Sequence, residues 1–541
     1  MRGNEEQNKT HSKKNFQMKE KQFNCIVIGS GIGGMSAASV LAKAGKKVLL
    51  LEQHYIFGGY THTFKRRNYE WDVGLHYIGE VHKADSFTRK TYDYISDGQI
   101  KWTALDDVYD KAFFGQEAYE FVRGKDALKA NLKKYFPQEK DQIAIDKYFE
   151  LLHEVSQISN AYYAEKIMPP ILSKMFGSAM QKRLLHFSDQ TTLSVLSQIT
   201  DNKKLIGVLT AQYGDYGLTP AKSSFYMHAM VANHYMDGAG YPVGGSASLA
   251  KHIIAVIEEN GGIVKPGAKV EQIIIENNVA KGVRLKNGEK YYADTIISNT
   301  GILNTFTDLL PPSVVKEHQL EEKLKNIKPS VAHLSLNIGC KVSAESLDLP
   351  KCNYWIFPPE YDHDKNRAIF DSPDAPLPVI FASFPSAKNP EWNKKHPDTC
   401  TIEIITLVPY HWFSKWEGTK AGRRGHDYID LKNKLSRKLL DMLFNILPRL
   451  EDKIDYYELS TPLSTQNFTN HSKGEIYGLA HNPERFRANL LRPGTPVKNL
   501  FLTGQDVFMA SVTGAMMGGI LTASKILKKN MFWKIQHTNH T

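Results

Sequence analysis

Four cysteines in 541 residues, Cys25, Cys340, Cys352 and Cys400, are too few for a disulfide scaffold and share no metal-ligand spacing. They read as reduced thiols, and no metal site is expected. No stretch supplies the roughly 18 uninterrupted apolar residues that a spanning helix needs. Residues 1–22, rich in Lys, Glu, Asn and Gln, read as a polar flexible tail without the apolar segment of a signal peptide. A chain that is cytoplasmic or peripheral on a membrane is expected. The charge excess is small, 68 Lys plus Arg against 57 Asp plus Glu for a net +11. No nucleic-acid motif or clustered basic face accompanies it, so nucleic acid is not an expected partner. What the chain does have is material for a core: 42% of residues are hydrophobic and 11% aromatic. The length suggests two to four domains at about 150 residues each.

The apolar run Cys25-Ile26-Val27-Ile28 leads into Gly29-Ser30-Gly31-Ile32-Gly33-Gly34 and then a helical pattern ending near Ala44-Gly45; Val48-Leu49-Leu50-Leu51 closes the unit at Glu52. This is G-x-G-x-x-G in the strand–turn–helix–strand context that gives it meaning. Gly29 permits the tight turn, Gly31 lets the backbone approach a pyrophosphate, Gly34 allows close helix–strand packing, and Glu52 accepts hydrogen bonds from a ribose diol. Gly58-Gly59 follow, where missing side chains would let a bulky isoalloxazine pass close to the backbone. The combination predicts an FAD site.

Near the other end, the strand-like Asn499–Leu502 runs into Thr503-Gly504-Gln505-Asp506, then Val512-Thr513-Gly514-Ala515 and a helix to about Leu527. Asp506 is a candidate for a ribityl hydroxyl, or else a turn acid. The amides opening the helix at Thr513 would face the flavin. Between these ends lie Tyr241-Pro242-Val243-Gly244-Gly245-Ser246, a helix to about Asn260, Ala268-Lys269-Val270, a hairpin at Asn287-Gly288 and Ala293–Asn299.

In this arrangement the chain resembles the flavin amine-oxidase and phytoene-desaturase superfamily. The resemblance implies an α/β fold: a Rossmann-like FAD-binding domain of the glutathione-reductase type assembled from residues 23–83, 239–330 and 469–528. An interleaved α+β substrate domain would comprise 84–238 and 331–468, with a basic and aromatic tail at 529–541. It also implies backbone contacts from Val270 to adenine. Four further segments, Gly74-Leu75-His76-Tyr77-Ile78-Gly79, Met227-His228-Ala229-Met230 with His234-Tyr235-Met236, Phe384–Lys388 and Leu502–Phe508, are similar to the retinol saturase branch, which sits beside the carotenoid isomerases. Saturation of a carbon–carbon double bond in retinol or a related polyene is therefore the expected activity. A carotenoid desaturase or reduced-flavin isomerase stays open, as does a non-catalytic prenyl-lipid carrier of the dissociation-inhibitor type.

A polyene has few polar handles, so recognition falls to apolar burial. Some fifteen carbons at about 0.8 kcal/mol each supply on the order of 12 kcal/mol gross, against an association cost of about 4–15 kcal/mol. Hydride would come from reduced flavin and a proton from the protein; His76, Tyr77, His228, Tyr477 and His481 are the candidate donors, with His76 and Tyr77 ranked first. A second nucleotide fingerprint is lacking. Electrons would then arrive from NAD(P)H docking transiently or from a separate reductase. Basic and apolar residues at Ile167–Leu172, Lys174–Phe176, Lys182 and Arg183, and again at Ile526–Lys534, invite either peripheral membrane contact or ordinary packing.

Overall fold

The computed structural model describes residues 23–168 and 170–538. The tail 1–22, Pro169, the side chains of residues 170–174, 176 and 178–180, and residues 539–541 lie outside it.

Apolar segments such as Phe23–Ile28 and Val48–Leu51, buried almost throughout, form a first sheet. Its order is Ile263–Lys265, Val48–Leu51, Phe23–Ile28, Lys290–Ser298, Val279–Leu285 and Val270–Glu276, with Leu500–Leu502 also paired to Lys290–Ser298. The first three pair in parallel, as does Leu500–Leu502, and helix Ile32–Lys43 makes the crossover between Phe23–Ile28 and Val48–Leu51. This is the expected Rossmann-like α/β architecture. Strand Lys290–Ser298 is longer than the two pieces expected from sequence. Residues 290–292 complete the Asn287-Gly288 hairpin, and from Ala293 onward the same strand runs beside Phe23–Ile28. No turn residue interrupts it at Tyr292, so the strand continues while its partner changes.

A second seven-stranded sheet has the order Ile454–Ser460, Ala332–Cys340, Cys400–Val408, Ile380–Ser383, Asn353–Phe357, Val108–Phe114 and Glu117–Val122. The parallel pairing of Val108–Phe114 with Asn353–Phe357 joins the two intervening stretches of sequence into one layer. Ala332–Cys340 is buried at every position, as a strand covered on both faces must be. Helix His426–Phe444 packs on this sheet beside Ile380–Ser383, and its Leu435, Leu439 and Leu443, one apolar residue per turn, share a core with Leu334, Leu336 and Ile338.

Small elements stitch the sheets together. In the hairpin Thr63–Arg66 and Tyr69–Asp72, Trp71 Nε1 donates to Ile338 O at 2.9 Å and Asp72 N to Glu403 Oε1 at 2.7 Å. Strand Ala239–Pro242 sits between Ile78–Gly79 and Trp102–Ala104. The last helix among the described residues, Met531–Gln536, is capped by Asn530 and packed through Phe532 on Phe87. Among the described residues no helix is long and apolar enough to cross a membrane.

Candidate active site

The glycine turn is held by packing that tolerates no side chain. Gly29 leaves the first strand at φ +95°, and a Cβ on Gly34 would lie 2.1 Å from Gly29 O. Gly58 pairs with Gly31 in a parallel bridge, and a Cβ on Gly59 would stand 3.1 Å from Gly31 Cα. Gly29, Gly31, Ile32, Gly33, Gly58 and Gly59 thus form one backbone wall of a cavity. Ser30 and Gly34 do not line it. Ser30 is the brace: its N–H and hydroxyl donate to Glu52 Oε2 at 2.8 and 2.7 Å, and its Oγ accepts from Gly58 N at 3.1 Å. Glu52 Oε1 accepts from His54 N at 2.8 Å. Of about four acceptor positions on a carboxylate, three are used within the chain, leaving one for a ribose hydroxyl on the cavity side.

The C-terminal segment meets this wall. Gly504 is packed beneath the turn, where a Cβ on Gly33 would lie 2.6 Å from Gly504 Cα, and it does not itself line the cavity. Asp506 Oδ2 accepts from Ile302 N at 2.8 Å. Asp506 Oδ1 and Thr503 Oγ1, both buried in the cavity wall, have no hydrogen-bond partner among the described residues. Thr513 opens the helix Val512–Leu527, and with Val270 it lines the same space. Orphaned polar atoms at Thr503 and Asp506, a side-chain-free wall and one free acceptor on Glu52 fit a flavin dinucleotide. Sequence reading missed Asn299, Thr300 and Gly301, which close the wall between the two segments. Their signal was the polar S-N-T-G run at the end of an apolar strand.

The cavity is a continuous space of about 1440 Å³, larger than the roughly 300–1,000 Å³ of a typical small-molecule site. Beyond the nucleotide wall it is lined by Trp355, Phe381, Val379, Met227, Met230 and Tyr235 and reaches Phe532 and Trp533 of the terminal helix. His76, Tyr77 and Tyr477 all face it. His228 and His481 do not. His228 is enclosed by the hydroxyls of Tyr148 and Tyr216, and His481 Nε2 accepts from Ala510 N at 2.9 Å; burial holds both imidazoles neutral, far below their ordinary pKa. Both are core histidines in this structure.

His76 is also neutral, burial and the nearby Lys388 ammonium pushing it down to about 3. His76 does face the cavity, as its place after the second glycine-rich segment led us to expect, but a neutral imidazole is a weak acid. Tyr477 donates to Gly214 O at 2.8 Å. Tyr77 stacks on Tyr235 with centroids 4.2 Å apart, and its hydroxyl stands 3.0 Å from both Asp110 Oδ2 and Asp215 Oδ2. Neither aspartate carries a motif in the sequence; the fold assembles them from a strand of the second sheet and a 3-10 turn.

Residues 27–94 match the NAD(P)-binding Rossmann-like domain family. All-trans-retinol 13,14-reductase of Danio rerio is 36% identical over 532 residues, which cover 94% of this chain and 87% of that protein. The chain belongs to the all-trans-retinol 13,14-reductase family. An inactive all-trans-retinol 13,14-reductase of the same fish is 32% identical over 526 residues, covering 93% and 85% of the two chains. The chloroplastic prolycopene isomerase of Arabidopsis thaliana is more distant, at 24% over 518 residues, 94% of this chain and 83% of that one. An oxidoreductase structure from Methanosarcina mazei shares the fold, with a TM-score of 0.62 at 14% identity over 94% of this chain and all of the other.

Proposed function

We propose that the protein is an FAD-dependent oxidoreductase that saturates a carbon–carbon double bond of retinol or a related polyene. The observation that carries the reading is the continuity of one cavity from the glycine wall to an aromatic and aliphatic chamber. A dinucleotide held by Glu52, Thr503 and Asp506 leaves the rest of that volume for an apolar ligand. FAD, when bound and reduced, supplies hydride. The chain's residues exclude water, hold the polyene by apolar contact, and supply the proton.

NAD(P)H docking at the flavin, or a separate reductase, is the electron source we propose, because one dinucleotide fingerprint is present in the sequence. The apolar substrate would enter at the rim formed by the terminal helix. There Trp533 is 62% exposed beside the exposed Lys528, Lys529 and Lys534, a composition suited to a bilayer surface.

The family includes an inactive relative, so activity is read directly. Purified protein loaded with FAD is reduced anaerobically with dithionite and given all-trans-retinol. A product heavier by the mass of two hydrogens is expected. An isobaric product would instead favour the isomerase reading that the prolycopene isomerase likeness supports, and retention of retinol unchanged by a protein that takes up no flavin would favour a carrier.

A further inference from the structure

Tyr77 has one hydroxyl hydrogen and two carboxyl neighbours at 3.0 Å, Asp110 Oδ2 and Asp215 Oδ2. It can donate to one of them only. If both carboxyls were ionised, the remaining contact would set an anionic oxygen against a hydroxyl oxygen with no hydrogen between them, a costly arrangement inside a protein. A second proton removes the conflict, and the surroundings decide which aspartate carries it.

Asp110 is fully buried and rich in donors. Its Oδ2 accepts from Gln212 Nε2 at 2.7 Å and Trp355 Nε1 at 3.2 Å, and its Oδ1 from Asn353 Nδ2 at 2.9 Å. Asn353 is in turn held by the ammonium of Lys388, a buried cation. This is a nest built for a carboxylate. Among the described residues, Tyr77 is the one hydrogen-bond partner of the Asp215 carboxyl, and Asp215 lines the cavity. Burial and the neighbouring Asp110 charge both raise its pKa well above the ordinary carboxyl range.

Asp215 also stands at the right end of the cavity. It follows Gly214, whose carbonyl accepts the Tyr477 hydroxyl; Gly478, next to Tyr477, is packed so tightly on Asp506 that a Cβ would lie 2.4 Å from Asp506 Oδ1. Asp506 is the proposed ribityl ligand.

We infer that Asp215 is the protonated catalytic acid of this site, with Tyr77 as its positioning residue and Asp110 as the fixed anion that turns the Tyr77 hydroxyl. The inference rests on the saturase reading above. In the step, the π pair of the double bond takes the Asp215 proton to form one C–H bond while hydride from the reduced flavin forms the other; the carboxyl O–H bond breaks and FAD is left oxidised. The Tyr77 hydroxyl then swings from Asp110 to the new Asp215 carboxylate, stabilising it until it recovers a proton from water.

Infrared difference spectroscopy of the FAD-loaded protein tests the proton assignment without turnover. Wild type at pH 7, labelled at the aspartate carboxyl carbon, should show a protonated-acid carbonyl stretch that is lost in Asp215→Asn and displaced in Tyr77→Phe. In the dithionite assay Asp215→Asn should bind retinol as wild type does and lose saturation rate by about 10²–10⁴-fold. Absence of an acid band assignable to Asp215, or an Asp215→Asn rate within a few-fold of wild type, overturns the inference. Should Asp215→Asn fail to fold, the labelled wild-type band and its response to Tyr77→Phe still decide. Wild type that saturates no polyene refutes the saturase reading and with it the catalytic role, while the band reads the proton on Asp215 independently.

Discussion

His76 Nδ1 lies 2.9 Å from Glu403 Oε2, and neither atom has another partner among the described residues. At that distance one hydrogen lies between them, carried either by the imidazole nitrogen or by the carboxyl oxygen. Burial supplies it by raising the Glu403 carboxyl to about 8, so at neutral pH a protonated Glu403 donates to a neutral His76. The other oxygen of Glu403 accepts from Asp72 N and so carries the hairpin at Tyr69–Asp72. The contact has the geometry of a salt bridge and the chemistry of a neutral hydrogen bond.

The sign of the pH effect follows. The folded pKa of Glu403 lies above the ordinary carboxyl value, so the folded state holds a proton that the unfolded chain has lost. Its contribution to stability is complete below about 4.5 and disappears as pH rises through about 8. Buried neutral histidines such as His76 and His228 act in the opposite sense, losing stability as pH falls below 6.5 toward about 3. Between pH 6.5 and 7.5 the Glu403 term should therefore emerge as a decline of up to about 1.4 kcal/mol per pH unit. Glu403→Gln keeps a donor for His76 and an acceptor for Asp72 N, and should flatten that decline. Urea unfolding midpoints of both proteins across this range provide the check; parallel curves would contradict the protonated pair.

What was readable in the sequence, and what was not, divides along a physical line. The glycine turn, Glu52 and the Thr503–Asp506 strand end were legible because the backbone itself demands those residue types at those spacings: a φ of +95° at Gly29, and no room for a Cβ at Gly34. The Asp110–Tyr77–Asp215 bridge and the Lys388–Asn353 link were not, because each member comes from a different element. Nothing local marks a lysine as 1% exposed, and Lys388 appeared only as part of a resembling segment. The second sheet was hidden for a related reason. Its parallel joint, Val108–Phe114 beside Asn353–Phe357, spans more than two hundred residues and leaves no turn signal between them.

Glu52 has a double role that separates two variants. Its carboxylate braces Ser30 and His54 and offers its remaining acceptor position to a ribose. Glu52→Ala leaves the buried Ser30 N–H unpaired, at about 1–3 kcal/mol, and removes a charge-assisted ribose bond of about 1.5–3 kcal/mol. Both the stability of the flavin-free protein and its FAD affinity should fall. Ser30→Ala keeps the Ser30 N–H bond to Glu52 and loses the hydroxyl bonds, so it should cost stability while reducing FAD affinity less. Urea melts and flavin titrations separate the two terms, and an FAD affinity unchanged in Glu52→Ala would remove the ribose role.

The proposed entrance makes its own demand on Trp533. The neighbouring Phe532 stacks on Phe87 with centroids 5.8 Å apart, Asn530 Oδ1 accepts Trp533 N at 3.0 Å, and Lys90 Nζ donates to Gln536 O at 3.1 Å. The helix is thus fixed in place without the indole, which reaches solvent at the cavity rim. Trp533→Ser should leave folding and flavin affinity intact. If the indole anchors the rim in a bilayer, KM for retinol presented in anionic vesicles should rise about tenfold, equivalent to ~1.4 kcal/mol, while KM in detergent micelles moves much less. An equal change in both media would assign Trp533 to the substrate tunnel itself, and no change in either would place polyene uptake elsewhere on the surface.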